Sequence, residues 1–331
     1  MGGFNIRDMI TIGFSSHHAE VLPYARLQME QHQIIVLEEA PSPSFLGMLD
    51  GRVSIDEYMM DLDSEFPGFE RRMCTLLREL HSKGRQIIQV EPYLEILLQI
   101  HELLSDGKTP GDIMKDPRLE SVYGAEKRAT GALLNYYTQS LRAPFDKVVR
   151  AVQAFAWADA ERLMMRERLR AKAITPLTSY GMDIYVEAGY IHYCLYHYLK
   201  KALGRCEKIR VVYLLAPVIR KLKGRRRNMG PGDVLTLRYA IHGGAAKDVA
   251  NLLAARSLIY IKLLQKDELL PGDSDAPHSE DEVSVNRIVD SLSLEDCQVL
   301  FDQIRLAKRE KAIRVVKEYL RTSPCNNTLT G

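Results

Sequence analysis

Residues 33–37 read QIIVL and residues 86–90 read QIIQV, and each run is apolar and rich in β-branched side chains. Short runs of this composition predict strands that are buried in a sheet. A similar run at 9–13 precedes them, and apolar residues at helical spacing in 18–31 and 69–83 separate the three runs. The alternation of strands and helices predicts a parallel-rich sheet with crossover helices, which is an α/β fold.

The sheet pattern stops after the third run and returns later in the chain. Residues 112–174 read as helical, and strand patterns follow at 183–188 and 209–215. We therefore expect residues 1–215 to form an α/β core that contains the helical block as an insertion. Residues 216–331 carry apolar residues at helical spacing, which predicts a mostly helical C-terminal segment.

The composition is that of an ordinary globular protein. The chain has 331 residues, of which 46% are apolar and 27% charged, and its formal net charge is +2. This balance argues against a nucleic-acid-binding or membrane-surface protein, and no run of about 18 apolar residues predicts a membrane span. The N-terminal residues lack the pattern of a secretory signal. The 5 cysteines form no CxxC pair, which favours reduced thiols and a cytoplasmic location.

Ionisable side chains follow each predicted strand before residue 200. His17 follows the first strand, Glu38 and Glu39 the second, Glu91 the third and His192 the fourth. Ligands of open parallel sheets bind at the carboxyl ends of the strands. Converging imidazoles and carboxylates could hold a divalent metal ion, or they could serve as general acid and base. Because side chains alternate along a strand, we expect Glu38 and Glu39 to point to opposite sides.

A glycine precedes each of the two histidines. Gly13 lies four residues before His17, and Gly189 lies three residues before His192. We expect both glycines to let the backbone turn sharply and approach a ligand closely. Each histidine would then lie in the first turn of the next helix, where free N–H groups favour an anion.

Four short motifs follow one another in residues 9–215. They are Gly13-Phe14-Ser15-Ser16-His17, Val36-Leu37-Glu38, the helical run MRERLRAKAI at 165–174, and Gly189-Tyr190-Ile191-His192. In order and spacing they resemble the motifs of the erythromycin-esterase, ChaN and TraB/Tiki superfamily.

The sequence also departs from that family at two positions. The family usually carries Glu directly after the first Gly, where this chain has Phe14, and often Met at the position of Arg170. Glu91 could take the place of the missing carboxylate.

The resemblance implies a hydrolase-like enzyme of the esterase or peptidase kind, or a lyase, that acts on a small molecule or peptide. His17 would be the general base or a metal ligand, with Glu38 as its partner. Glu91 would be a second carboxylate, His192 a second ligand or an acid, and Arg166 would stabilise negative charge in the transition state. His17, Glu38 and His192 would be the ligands of a divalent ion such as Mn²⁺, Co²⁺ or Zn²⁺.

Three alternatives stay open at this point. One is a haem-binding or other ligand-binding regulatory protein without catalysis, as the likeness to ChaN implies, with the tyrosines around His192 near the ligand. Another is an interaction module in residues 216–331 beside a site that no longer works. The basic run at 220–227 is either a clamp for an anionic substrate or a solvated loop. Self-association into a homo-oligomer is also open.

Overall fold

The structure is a computed structural model that describes residues 10–322, apart from residues 61, 63, 205–207 and 226–227. A parallel sheet of five strands lies in the order β3-β2-β4-β1-β5, as the α/β prediction requires. The strands are β1 (Ile10–Ser15), β2 (Ile34–Leu37), β3 (Gln86–Gln89), β4 (Ile184–Gly189) and β5 (Ile209–Tyr213). Met9, which belongs to the first predicted strand, lies outside the described residues.

Helices make up most of the rest of the described chain, and the predicted helical C-terminal segment is confirmed. They are α1 (Leu22–Met29), α2 (Phe45–Leu49), α3 (Ile55–Met60), α4 (Pro67–Ser82), α5 (Pro92–Ser105), α6 (Pro110–Ile113), α7 (Pro117–Arg142), α8 (Phe145–Ile174), α9 (Cys194–Leu203), α10 (Ala216–Lys221), α11 (Pro231–His242), α12 (Lys247–Leu263), α13 (Pro277–Asp290), α14 (Leu294–Ile304) and α15 (Arg309–Thr322). One-turn or two-turn 3₁₀ helices occur at Ala19–Val21, Thr175–Tyr180 and Tyr190–Tyr193.

The chain divides into two compact units, which we call the core unit and the helical unit. The core unit comprises residues 1–126, 161–221 and 267–278, and it contains the whole sheet. The helical unit comprises residues 127–160, 222–266 and 279–331. Its apolar core is built from buried residues of the first half of α8 and of α12, α14 and α15.

The two faces of the sheet differ because side chains alternate along each strand. On one face, Val36 and Val186 pack in an apolar cluster with Leu195 of α9. On the other face, Nε2 of His32 lies 2.8 Å from Oγ1 of Thr11, and its ring lies 5.8 Å from that of Tyr185. A residue that follows a strand therefore reaches one of two chemically different surroundings, according to the direction in which it leaves the strand.

The register of the central strands brings two glycine-containing strand ends together. Gly13 of β1 is paired with Glu187 of β4, and Ser15 is paired with Gly189. A Cβ atom at Gly13 would lie 2.2 Å from the phenol oxygen of Tyr185. Gly13 is therefore required by the close approach of a buried tyrosine ring. Our prediction of a sharp turn at these two glycines is wrong, because Gly13 lies within β1 and the backbone of Gly189 is extended.

Replacing Gly13 by Ala should destabilise the protein, because the added methyl group would overlap the ring of Tyr185. We expect the free energy of unfolding in urea to fall by about 1–3 kcal/mol, which is the usual cost of overpacking. Gly131→Ala is the matched control. Gly131 lies within α7, and a Cβ atom added there would have no neighbour within 4 Å, so this variant should gain about 0.5–1 kcal/mol. Equal effects in the two variants would contradict the account.

Candidate functional site

Charged side chains gather on both sides of the carboxyl edge of the sheet, in the core unit. We define the histidine cluster as Glu38, Glu91, Arg166, Glu167, Arg170 and His192, which are joined by ion pairs. We define the carboxyl cluster as His17, Glu39, Glu70 and Glu187, whose charges act on one another. Glu38 belongs to the histidine cluster and Glu39 to the carboxyl cluster. These two residues follow β2 directly and have different contacts.

His192 lies between two carboxylates. Its Nε2 atom is 2.6 Å from Oε1 of Glu38, and its Nδ1 atom contacts Oε1 of Glu167. Burial lowers the pKa of His192, but the two carboxylates outweigh burial and raise that pKa to about 9. Both ring nitrogens therefore donate, and the ring is an imidazolium at neutral pH.

Glu38 is held as a carboxylate by several donors. It accepts hydrogen bonds from Nη2 of Arg166 at 3.0 Å and from the backbone N–H of Gly189 at 2.8 Å. Arg170 lies 3.5 Å away. Burial raises the pKa of Glu38, but His192 and the two arginines lower it well below its ordinary value. Glu38 is therefore ionised throughout the neutral range.

Arg170 ties the ends of two strands together from α8. Its side chain is fully buried and donates to the carbonyl oxygens of Val90 at 3.0 Å and of Glu187 at 2.7 Å. Arg166 precedes it by one helical turn, so both guanidinium groups lie on the same face of α8. These bonds fix the carboxyl ends of β3 and β4 relative to the helix that carries the arginines.

Glu91 lies fully buried beside both arginines. Its Oε2 atom is 3.2 Å from Nε of Arg166 and 3.8 Å from Nε of Arg170. Burial nevertheless raises the pKa of Glu91. Glu38 and Glu91 therefore share the same two arginines. Glu38, which also contacts His192, has a lowered pKa, whereas Glu91 has a raised one.

In the carboxyl cluster the pKa values of the glutamates are raised, whereas the pKa of Glu38 in the histidine cluster is lowered. Burial and the charge of Glu187 raise the pKa of Glu39 to about 7, although Nε2 of Gln89 donates to it at 2.7 Å. Burial also raises the pKa of Glu187 and of Glu70. Carboxyl groups this close cannot all ionise without repulsion. The cluster therefore holds protons at a pH where Glu38 has none.

His17 is the exposed member of the carboxyl cluster. Its ring stacks on Phe69 of α4 with centroids 5.7 Å apart. Its charge also acts to lower the pKa of Glu187 and of Glu70, against the larger effect of burial. The structure therefore brings together four of the five predicted site residues, Glu38, Glu91, Arg166 and His192, and places the fifth, His17, in the neighbouring cluster.

Five residues of the two clusters were not among the five predicted site residues, namely Glu39, Glu70, Glu167, Arg170 and Glu187. Arg170 could have been predicted, because it follows Arg166 by four positions in a helical pattern and so lies on the same face of the helix. Glu187 could also have been predicted, because it lies two positions before Gly189 in a buried strand. Glu70 lies on α4, and nothing in its local sequence distinguishes it from a surface glutamate, whereas Glu167 directly follows Arg166 within the motif at 165–174.

The predicted metal ligands were His17, Glu38 and His192. Both ring nitrogens of His192 contact carboxylates, and an imidazolium has no lone pair for a metal ion. The oxygens of Glu38 are engaged by arginines and a backbone N–H. In the described part of the chain, no group of three or more His, Cys, Asp or Glu side chains is arranged to hold a metal ion. The donor set as arranged does not fit a metal ion.

The basic run is described in part. Arg220 and Lys221 are exposed in the last turn of α10, and within the helical unit Arg225 pairs with Asp290 at 3.1 Å. Arg226 and Arg227 lie outside the described residues. A clamp for an anionic substrate stays a prediction.

The fold and its charged edge define an α/β protein with a parallel sheet and ionisable groups at the strand ends. The chain is similar to a protein of Archaeoglobus fulgidus that is described as uncharacterised. The two are 32% identical over 289 residues, which cover 87% of this chain and 96% of the archaeal protein. This chain belongs to the same protein family as that archaeal protein. No family model and no solved structure matches the chain.

The stability of the protein should fall as the pH rises from 6.5 to 9, because the folded state holds a proton on His192 that the unfolded state releases. A folded pKa above the unfolded value contributes stability that is complete below pH 6.5 and is lost as the pH passes 9. The loss should be about 3 kcal/mol. His192→Gln should remove this pH dependence in urea unfolding. His101→Gln, at an exposed histidine of α5, should keep it, and identical slopes in both variants would refute the assignment.

Proposed function

We propose that the protein is a hydrolase that cleaves an acyl bond, such as an ester, in a small molecule or peptide by general acid–base catalysis. One observation carries the proposal: the surroundings of the consecutive residues Glu38 and Glu39 move their carboxyl pKa values in opposite directions. The pKa of Glu38 lies well below its ordinary value, whereas that of Glu39 is raised to about 7. Pairs of titratable groups whose surroundings separate their pKa values are typical of acid–base sites.

The raised pKa gives Glu39 a value that suits a catalytic acid. A group that donates a proton at neutral pH works best when its pKa lies near the working pH. Glu39 is half-buried as a residue, and its carboxyl group accepts a hydrogen bond from Gln89. Glu187 supports the protonated state of Glu39, because two neighbouring carboxylates repel each other.

In the proposed reaction, His17 takes a proton from a water molecule whose oxygen attacks the acyl carbon. Glu39 gives its proton to the leaving group as the acyl bond breaks. The proton on His17 then returns to Glu39 through the carboxyl cluster, which restores the starting state. Arg166 pairs with Glu38 and Glu91, so this reaction gives it no contact with the acyl oxygen.

The histidine cluster has a positioning role in this proposal. Glu38 and Glu91 hold the guanidinium of Arg166, and the imidazolium of His192 holds Glu38. The likeness to the erythromycin-esterase group supports the same class of reaction. The proposal routes no step through a metal ion, since the donor set does not fit one.

Two sequence-based predictions remain beside the proposal. The haem alternative stays a prediction. The tyrosine rings expected near that ligand pack against other rings: the ring centroids of Tyr193 and Phe14 are 5.9 Å apart, and those of Tyr190 and Tyr213 are 6.3 Å apart. We also propose a cytoplasmic location, which the free, buried thiols of Cys74, Cys194 and Cys297 favour. Among the described residues, no helix combines the length and apolar character needed to cross a bilayer.

The test compares two esters of the same acid, a p-nitrophenyl ester and an ethyl ester, in a pH-stat. Glu39→Gln should lower kcat/KM for the ethyl ester about 10²-fold, since ethoxide needs a proton to leave. The same variant should affect the p-nitrophenyl ester far less. His17→Ala should slow both esters, because attack by water precedes departure of either leaving group. Wild-type activity on the ethyl ester should fall above pH 7 as Glu39 ionises.

The control is Glu57→Gln, at an exposed glutamate of α3, which should keep the wild-type rates and pH profile. Unchanged hydrolysis of the ethyl ester by Glu39→Gln would contradict the role of Glu39. Absence of hydrolysis by the wild-type protein across a panel of esters, lactones and peptides would overturn the proposed function.

A further inference from the structure

A cavity of ≈ 300 Å³ lies within the helical unit, where the ends of α7 and α12 meet α14. Ligand sites of proteins have volumes of about 300 Å³ and above, so the cavity is large enough for a small molecule. Its walls are formed by side chains of Tyr136, Tyr137, Leu141, Leu258, Ile261 and Phe301, and its polar lining by Ser140, Lys262, Lys266 and Arg305.

The floor of the cavity is apolar and buried. Leu258 and Phe301 are almost fully buried, and burial raises the pKa of Tyr136 to about 12. The guanidinium of Arg305 lies 4.8 Å from the ring of Phe301 and donates to the backbone oxygen of Ser140 at 2.9 Å. Nε and Nη2 of Arg305 therefore tie the wall of the cavity to the end of α7.

Beside Arg305, two lysines supply positive charge at the cavity. Lys262 and Lys266 are four residues apart and line the same cavity, and no acidic side chain is among the residues that line it. Burial lowers the pKa of Lys262, and the neighbouring charge of Lys266 lowers it further. Two ammonium groups beside an apolar floor repel each other, and a bound anion would relieve this repulsion.

We propose that this cavity binds a small amphipathic anion, in which a carboxylate or phosphate group is attached to a planar apolar body. The apolar body would contact Tyr136, Leu258 and Phe301, and the anionic group would lie between Lys262 and Lys266. A second copy of the chain is a poorer occupant, since a symmetric contact would bring two such lysine pairs together. The site is independent of the sheet edge and of the proposed hydrolysis.

Calorimetric titration of the full chain with 2-naphthoate, and with the neutral 2-naphthamide, tests this inference. We expect 2-naphthoate to bind at least about tenfold more tightly than the amide, because only the acid pairs with the lysines. Lys262→Gln and Lys266→Gln should each weaken binding of 2-naphthoate about tenfold and leave binding of the amide unchanged. Lys311→Gln, which removes an exposed charge of the same unit, should bind both compounds as the wild type does.

Three results would overturn the inference. The first is equal affinity for acid and amide, and the second is no binding of 2-naphthoate at millimolar concentration. The third is a dimer in light scattering that Leu141→Glu separates, because that would assign the surface to a second copy of the chain. Both lysine variants keep the apolar floor intact, so their thermal unfolding should match that of the wild type.

Discussion

The contact between the imidazolium of His192 and the carboxylates of Glu38 and Glu167 is the interaction on which the rest of the site depends. It joins the end of β2, the segment after β4 and the second half of α8. A buried charge is costly unless it is paired, so each member of the contact fixes the protonation state of the others. Arg166 and Arg170 extend this network to Glu91, and thereby to the end of β3.

The network also accounts for the contrast between two neighbouring residues. Glu38 and Glu39 leave β2 in opposite directions, as the alternation of a strand predicts. Glu38 meets positive charge from His192 and the arginines. Glu39 meets the charge of Glu187 and a half-buried environment. One peptide unit thus separates a permanent anion from a group that exchanges a proton near neutral pH.

Much of this arrangement could be predicted from the sequence, and the rest depends on distant contacts. The alternation of strands and helices predicts the parallel sheet, and a parallel sheet brings strand ends to one edge, which is why Glu38, Glu91 and His192 could be grouped. Whether His17 joins them depends on the direction of the chain beyond β1, which no local pattern encodes. The contact of Glu167 with His192 could not be predicted for a similar reason, since His192 follows 25 residues later, beyond a further strand.

Gly13 is another residue whose role depends on a contact that is distant in the sequence. Its sequence context suggested a turn, whereas its physical reason is the ring of Tyr185 on the neighbouring strand. The make-up of the helical unit shows the same dependence on a larger scale, because it combines residues 127–160 with residues of the C-terminal part. Helical spacing predicts that such helices bury one face, but it does not tell which helix covers that face.

Carbon-13 NMR of the glutamate side-chain carboxyl carbons measures the separation between the pKa values of Glu38 and Glu39. The two resonances can be assigned from the spectra of Glu38→Gln and Glu39→Gln. We expect Glu39 to titrate with a pKa of about 7 and Glu38 to stay ionised down to a pH well below its ordinary pKa. Titration of both carboxyl groups near about 4.3, the value of an unperturbed glutamate, would contradict this expectation.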